Sequence, residues 1–269
     1  MFALDLLSLE IAGSVRGRRC ERTRVQRMSL DQPSRRAVLA GSVLTLGGGS
    51  VYYLARSNEA TAHGAGSSFH SSTETSAFGI DLTGKPIMGA PDAPLQMYYW
   101  TDFQCPFCER FERETLPDLV SEYVESGDLR IVFIALPYFD GSMPATVASK
   151  CVWVQVRDTD TPSAYWNWHT AIFEEQGQKN SGWASRKNLL EYTRAVDGVD
   201  ADALETCLDE RRSTLEAQVN ADAEKARSLG VSGTPTFAIV DREAGATETL
   251  VGAQPKKRFD EAIGRLDDA

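Results

Sequence analysis

Two cysteines separated by two residues are the first candidates for chemistry in this sequence. They are Cys105 and Cys108, in the run Cys105-Pro106-Phe107-Cys108. The same spacing serves zinc ligands, iron–sulfur clusters and redox-active dithiols, so it does not define a chemistry by itself. The elements that hold the two sulfurs must decide between these uses.

The flanking residues predict that the pair lies between a strand and a helix. An apolar and aromatic run, Leu95 to Thr101, precedes it, and from Pro106 to Val124 apolar residues recur at helical spacing. Cys105 then lies near the N-cap of the helix. Pro106 takes the first helical position, where a missing N–H leaves no hydrogen bond unmade.

A cysteine at a helix start is expected to ionise readily. The free N–H groups of Phe107 and Cys108 and the positive end of the helix dipole favour the thiolate of Cys105, which lowers its pKa below the free value of about 8.5. A thiolate there attacks disulfides. Cys108, one turn further and buried by the helix, is placed to resolve the mixed disulfide. The exposed sulfur is thus predicted to be the attacking one.

A second motif lies far along the chain, in the run Val231-Ser232-Gly233-Thr234-Pro235-Thr236-Phe237. A proline at the start of a strand, preceded by Gly and Thr, is a position where a cis peptide bond can turn the chain sharply. The motif predicts a loop at Thr234 and Pro235.

The remaining elements predict an α/β protein. A continuous apolar run, Leu129 to Leu136, is typical of a buried parallel strand. Residues 145–230 read as a helical block. Two strands, Thr236 to Val240 and Thr247 to Val251, and a closing helix, Lys257 to Leu266, follow.

This plan resembles the thioredoxin superfamily, and in particular its DsbA-like branch, whose members carry a helical insertion between the two halves of the thioredoxin fold. The resemblance covers residues 86–268 and rests on Asp-Phe-Gln-Cys-Pro-Phe-Cys and Gly-Thr-Pro-Thr-Phe in this order. It implies that the proline loop lies beside the redox pair and binds substrate through Thr234 and Pro235. It also implies thiol–disulfide exchange by the two sulfurs without a cofactor.

The sequence departs from the family pattern at two positions. The strongest oxidants of the family have His between the cysteines, where Phe107 offers neither charge nor donor. Many relatives have an acidic residue six positions before the first cysteine, where this chain has Tyr99. Asp102 is either a proton acceptor for Cys108 or a residue that ends the strand or caps the helix.

Other residues of the helical block have structural interpretations. Cys151 and Cys207 fall on two predicted helices, and we predict a disulfide between them in an oxidising compartment; the alternative is two separate buried thiols. Four tryptophans are expected to be mostly core, the alternative being an aromatic client surface: Trp153, Trp166, Trp168 and Trp183. His169 has no apparent metal partners and is assigned to the surface or to packing.

Charge constrains the partners. The chain carries a net charge of −10, and residues 63–269 hold 19 basic and 33 acidic residues. Nucleic acid and anionic lipid surfaces would be repelled by such a body. Only seven of the 28 basic residues are Lys. We interpret this acidic, Lys-poor composition as halophilic, and an ordinary acidic soluble protein is the alternative.

The N-terminus predicts export. Ser-Arg-Arg-Ala-Val-Leu at residues 34–39 leads into an uncharged run from Ala37 to Ala55, which resembles a twin-arginine signal. The run is long enough to enter a bilayer. The sequence allows two outcomes, cleavage of the signal near Ala62 or its retention as a membrane anchor. We divide the chain into an upstream extension that is a candidate start-site artefact (1–27), the signal or anchor (28–62), a flexible linker (63–85) and the DsbA-like domain (86–269).

The predicted function is thiol–disulfide exchange with exported client proteins, at the outer face of the cytoplasmic membrane or in the extracytoplasmic space. Dithiol oxidation is favoured, with an unidentified partner to reoxidise the pair; reductase or isomerase activity uses the same atoms. The rival hypothesis is a redox-inactive module that binds peptides or a metal ion. Metal binding would need two further Cys or His near either motif, and the sequence offers none there, so no metal is predicted.

Overall fold

A computed structural model describes residues 68–76 and 78–267 of the chain. The predicted upstream extension (1–27), the signal or anchor (28–62) and the first residues of the linker lie outside the described residues. In the described ranges, no helix combines the length and the apolar character needed to cross a membrane.

Six strands form one mixed sheet in the order β1-β2-β4-β3-β5-β6. Their bounds are Phe69–His70 (β1), Ile87–Met88 (β2), Leu95–Thr101 (β3), Leu129–Ala135 (β4), Thr236–Asp241 (β5) and Thr247–Val251 (β6). β3 and β4 are parallel, and the other neighbours are antiparallel. All seven residues of β3 are buried, because the strand is central and apolar clusters cover both faces of the sheet.

Eight α-helices accompany the described sheet. They are α1 (Pro106–Glu114), α2 (Leu116–Leu119), α3 (Met143–Val156), α4 (Ala164–Glu174), α5 (Arg186–Thr193), α6 (Ala201–Glu210), α7 (Arg212–Ser228) and α8 (Lys256–Asp267). α1 and α2, extended by a π-helical turn at Val120–Val124, connect the parallel strands β3 and β4. Along the chain, the helices α3 to α7 all fall between β4 and β5. The predicted α/β architecture, a thioredoxin fold with an inserted helical subdomain, is therefore confirmed.

The larger apolar cluster joins the insertion to one face of the sheet. It contains side chains of β3, β4, α1, α3, α4 and α8, including Phe111, Phe133 and Phe259. The four tryptophans predicted as core, Trp153, Trp166, Trp168 and Trp183, are all buried in it. The insertion thus shares one core with the sheet.

The register of the sheet brings the two sequence motifs together. β5 pairs antiparallel with β3, with Trp100 opposite Thr236. Cys105 follows the end of β3 by four residues, and Pro235 directly precedes β5. Both motifs therefore emerge at the same edge of the sheet, although they are far apart in sequence.

The structure differs from the prediction of a flexible linker over residues 63–85. From residue 68 onward the chain packs on the domain: β1 pairs with β2, with Phe69 opposite Met88. Ile80 and Leu82 are buried in the apolar cluster on the other face of the sheet. The segment is polar on average, so its isolated apolar residues were overlooked. Each of them nevertheless buries a large apolar side chain against the domain.

Candidate active site

Cys105 occupies the N-terminal cap of α1. Its backbone is extended, with φ −82° and ψ 117°, and Pro106 stands at the first helical position, as predicted. The Cys105 carbonyl accepts hydrogen bonds from the N–H groups of Cys108 at 3.0 Å and Glu109 at 3.1 Å. The sulfur of Cys105 thus lies at the N-terminal end of the helix, beside the N–H group of Phe107.

The proline loop lies directly against this sulfur. Cys105 Sγ is 3.2 Å from the carbonyl oxygen of Thr234, a residue 129 positions away in sequence. The bond between Thr234 and Pro235 is cis. The Thr234 hydroxyl is buried and has no hydrogen-bond partner among the residues that the structure describes. The four residues singled out by the sequence, Cys105, Cys108, Thr234 and Pro235, are therefore brought together.

The two thiols have opposite acid–base character. A hydrogen bond from the Cys108 thiol lowers the pKa of Cys105 to about 6, against the opposing effect of burial and with further help from the Thr234 side chain and the N–H groups of Cys108 and Phe107. Burial raises the pKa of Cys108 well above its usual range, and the proximity of Cys105 adds to this. At neutral pH the pair thus holds one thiolate and one thiol.

The expectation that Cys105 would be the exposed sulfur is wrong. Both Cys105 and Cys108 have 0% of their surface exposed. The proline loop covers Cys105, and Gln176 donates from Nε2 to the carbonyl oxygens of Phe103 at 2.6 Å and Cys105 at 3.2 Å. The two thiols therefore differ in acidity through the hydrogen bonds to Cys105 and the burial of Cys108, and the cover over Cys105 must shift for a client to reach its sulfur.

We expect the ionisation of Cys105 to be directly measurable. In the reduced protein, thiolate absorbance near 240 nm should rise with a midpoint at about pH 6, because the ionised form is hydrogen-bonded. Cys105→Ala should lose this transition, while the buried Cys108 of that variant ionises only in strongly alkaline solution. A midpoint above pH 8 in the unsubstituted protein would contradict this assignment.

Asp102 ties two loops together. Its carboxylate accepts hydrogen bonds from the N–H groups of Gln104 at 2.7 Å and Phe139 at 2.9 Å, and from the Ser142 hydroxyl at 2.7 Å. Burial raises its pKa, and these donors oppose the rise. The contacts favour the interpretation of Asp102 as a residue that ends the strand and fixes the turn before α1.

Exposed aromatic side chains flank the covered sulfur. Phe107 is 52% exposed and Tyr138 is 48% exposed. The Arg110 guanidinium lies 5.2 Å from the centre of the Phe107 ring, and the Tyr138 hydroxyl donates to the carbonyl of Ser232 on the proline loop. The apolar surface near Cys105 comes from these two residues, whereas the tryptophans are in the core.

Two pairs of side chains at the site were not predicted from the sequence. Glutamines from the motif and from the insertion, Gln104 and Gln176, tie the motif loop to neighbouring segments. Glu112 on α1 forms a buried pair with His169 on α4, 2.9 Å apart. His169 is therefore a buried residue and not a surface one. Only the spacing of Glu112, one helical turn after Cys108, was visible in the sequence.

Cys151 on α3 and Cys207 on α6 form a disulfide with a Cα–Cα distance of 5.8 Å. It closes a loop of the insertion with a sequence separation of 56. In the described part of the chain, no group of three or more His, Cys, Asp or Glu is arranged to hold a metal ion.

Two thiols of unlike acidity at a helix start, facing a proline loop on this fold, define a thiol–disulfide oxidoreductase. Comparison with known proteins agrees. A family model described as Thioredoxin matches residues 81–260, and the chain belongs to this family. Disulfide bond formation protein D of Bacillus subtilis is 25% identical over 162 residues, which are 60% of this chain and 70% of the relative.

Solved structures show the same fold. BdbD from Bacillus subtilis, in its oxidised form, superposes with a TM-score of 0.59 at 23% identity, covering 69% of this chain and 94% of that one. DsbA of Chlamydia trachomatis gives a TM-score of 0.57 at 21% identity, covering 68% and 89%. At these identities the likeness shows the fold, so the chain is a thiol–disulfide oxidoreductase with the fold of these two proteins.

Proposed function

We propose that this enzyme oxidises dithiols in exported client proteins. The observation that carries the proposal is the position of Cys105 at the start of α1, beside Cys108 and against the proline loop, where hydrogen bonds lower its pKa to about 6. Contacts that favour a thiolate stabilise the reduced form of the pair, and a stabilised reduced form makes the disulfide a stronger oxidant. The name of the relative in Bacillus subtilis, a disulfide bond formation protein, supports the same direction.

The reaction proceeds by two thiolate attacks. A client thiolate attacks Cys105 of the Cys105–Cys108 disulfide, and Cys108 leaves and takes up a proton. A second client thiolate then attacks the client sulfur of the mixed disulfide, forms the client disulfide and releases Cys105 as a thiolate. Cys105 leaves readily because its pKa is low. A partner with a higher potential must reoxidise the pair.

The client is proposed to bind along the proline loop. The backbone of Thr234 lies beside Cys105 Sγ, so a client cysteine joined to Cys105 would lie next to the backbone of the proline loop. The exposed rings of Phe107 and Tyr138 offer apolar contacts to an unfolded chain. The predicted signal would place this reaction outside the cytoplasmic membrane, with the enzyme either released or anchored.

The test compares oxidation and reduction by one preparation. The oxidised protein should convert a reduced, unfolded client with two cysteines to its disulfide form within minutes at pH 7, and the reduced protein should reduce insulin only weakly. Cys105→Ser serves as the control for both assays. Strong insulin reduction with little client oxidation would favour the reductase alternative, and no reaction in either direction would favour the binding module.

Phe107→His should make the enzyme more oxidising. A protonated imidazole beside the helix start stabilises the Cys105 thiolate by charge, so we expect the pKa of Cys105 to fall below 6 and the equilibrium with glutathione to move about tenfold toward the dithiol. The effect should be largest near pH 6, where the imidazole is charged. Phe107→Leu is the matched control, and an equal shift in both variants would contradict this explanation.

A further inference from the structure

Two lysines and one aspartate meet outside the active site, where three segments of the chain come together. Lys85 precedes β2, Lys150 lies on α3 and Asp222 lies on α7. Lys85 Nζ is 2.7 Å from Asp222 Oδ1, and Lys150 Nζ is 2.9 Å from Asp222 Oδ2. The three side chains are 6%, 12% and 15% exposed. Two of the seven lysines in this Lys-poor chain are thus largely buried around one carboxylate.

The cluster carries one positive charge more than its carboxylate balances. Two ammonium groups face one carboxylate, and a buried charge without a partner is costly. The backbone carbonyl of Asp81 bonds Lys85 Nζ at 2.6 Å, so the Asp81 side chain is a further candidate to balance the charge. That residue is exposed, and its carboxylate accepts the N–H of Thr83 at 2.9 Å. Water therefore screens the charge of Asp81.

The cluster also holds more hydrogen-bond donors than the described part of the chain uses. Lys85 Nζ donates to Asp222 and to one backbone carbonyl, which leaves one of its three N–H bonds without an acceptor. Lys150 Nζ donates to Asp222 alone, which leaves two. The hydroxyls of Ser149 and Tyr165 bond each other at 2.8 Å, so one of their two hydrogens is also left over. Acceptors, and not donors, are what this cluster lacks.

All of these residues line one small cavity. Its volume is about 20 Å³, which is room for one water-sized sphere. Residues 84–86 and 133–135 complete its wall, and Asp222 is the one acidic residue among the described residues that line it. A carboxylate, phosphate or sulfate ion has too many atoms for this volume. The cavity therefore fits a single water molecule or a monatomic anion.

We propose that the cavity binds a chloride ion, which accepts hydrogen bonds from Lys85, Lys150 and the neighbouring hydroxyl pair. Chloride balances the unpaired positive charge, whereas a water molecule carries no charge and would bring two more donors to a site that already has a surplus. The ion contacts the segment before β2 and also α3, to which Asp222 links α7. It therefore stabilises the junction between the inserted helices and the sheet.

The test titrates sodium chloride into the oxidised full chain at constant ionic strength, with sodium gluconate making up the difference. Gluconate is too large for the cavity and serves as the anion that does not bind. Broadening of the ³⁵Cl nuclear magnetic resonance signal reports bound chloride. Tm, measured in the same solutions, reports whether the bound ion stabilises the fold.

In the unsubstituted chain, Tm should rise in a saturable way, by about 4 °C when chloride exceeds its dissociation constant tenfold. Lys150→Met removes a charge and its donors but keeps most of the apolar stem, so it should abolish both the broadening and the chloride-dependent part of Tm. Lys187→Met is the matched control, because Lys187 is an exposed lysine of α5 outside the cavity. It should respond to chloride as the unsubstituted chain does.

Asp222→Asn should have the opposite effect. It removes the negative charge beside the cavity and leaves both lysines unbalanced, so the chloride concentration for half-saturation should fall at least about tenfold. A salt-bridge cluster that holds no ion would lose stability in Asp222→Asn and in Lys150→Met alike, without opposite responses to chloride.

The proposal is overturned if the unsubstituted chain shows neither broadening nor a rise in Tm that is specific to chloride. It is equally overturned if Lys150→Met responds to chloride as Lys187→Met does. If Lys150→Met does not fold, an unchanged half-saturation concentration in Asp222→Asn decides against the site.

Discussion

Cys105→Ser is expected to lower the rate of client oxidation about 1000-fold or more, to the uncatalysed rate. The reaction passes through a covalent bond to the Cys105 sulfur, and a serine hydroxyl forms no such bond. Loss of a nucleophile that acts together with other groups removes almost the whole acceleration. The measurement is the initial rate of disulfide formation in a reduced client, with the oxidised wild-type chain as the reference.

Cys108→Ser provides the complementary result. Cys105, still at the start of α1, should attack an oxidised client, but no second sulfur can release it. A covalent complex should therefore accumulate and disappear on reduction, as seen by non-reducing electrophoresis and intact mass. A complex of equal yield through Cys108 in the Cys105→Ser variant would contradict the assignment of the two roles.

Removing the disulfide of the insertion is expected to have the largest effect on stability. Cys151→Ala together with Cys207→Ala opens a loop with a sequence separation of 56, and the chain-entropy relation gives a loss of about 4 kcal/mol in the free energy of unfolding. For a domain of this size that corresponds to a fall of about 10 °C in Tm. Thermal and urea unfolding measure it.

The control places both substitutions in a background with Cys105→Ala and Cys108→Ala, so that the active-site pair contributes nothing to the difference. Intact mass with and without reductant counts the disulfides. If the variant that keeps the Cys151–Cys207 disulfide and the variant that lacks it have equal free energies of unfolding, the disulfide has no stabilising role. Free thiols at both positions would remove the cross-link itself.

Local patterns predicted most of the fold because each element has a strong signal of its own. The run of apolar and aromatic residues from Leu95 to Thr101 has no polar alternation, and it is the central strand. Pro106 marks the start of α1, as the sequence predicts. The chain at 68–85 was missed because its buried residues stand singly in polar surroundings.

The site was only partly predictable, because the residues that cover Cys105 and those that pack behind the motif reach it through contacts that are distant in sequence. Cys105 and Thr234 were linked through a resemblance to a family, and no local rule gives their 3.2 Å contact. The contacts of Gln176 with the motif loop follow from how the insertion packs, which the sequence does not specify. Glu112 on α1 and His169 on α4 likewise meet although they are 57 residues apart in sequence.

The redox equilibrium of Cys105 and Cys108 with glutathione tests the central claim most directly. Mass analysis after acid quenching, across ratios of reduced to oxidised glutathione, should show one two-electron transition. Its potential should lie between about −270 mV, the value for thioredoxin, and about −120 mV, the value for the strongest oxidants. A pair that forms no intramolecular disulfide at any ratio would contradict the account.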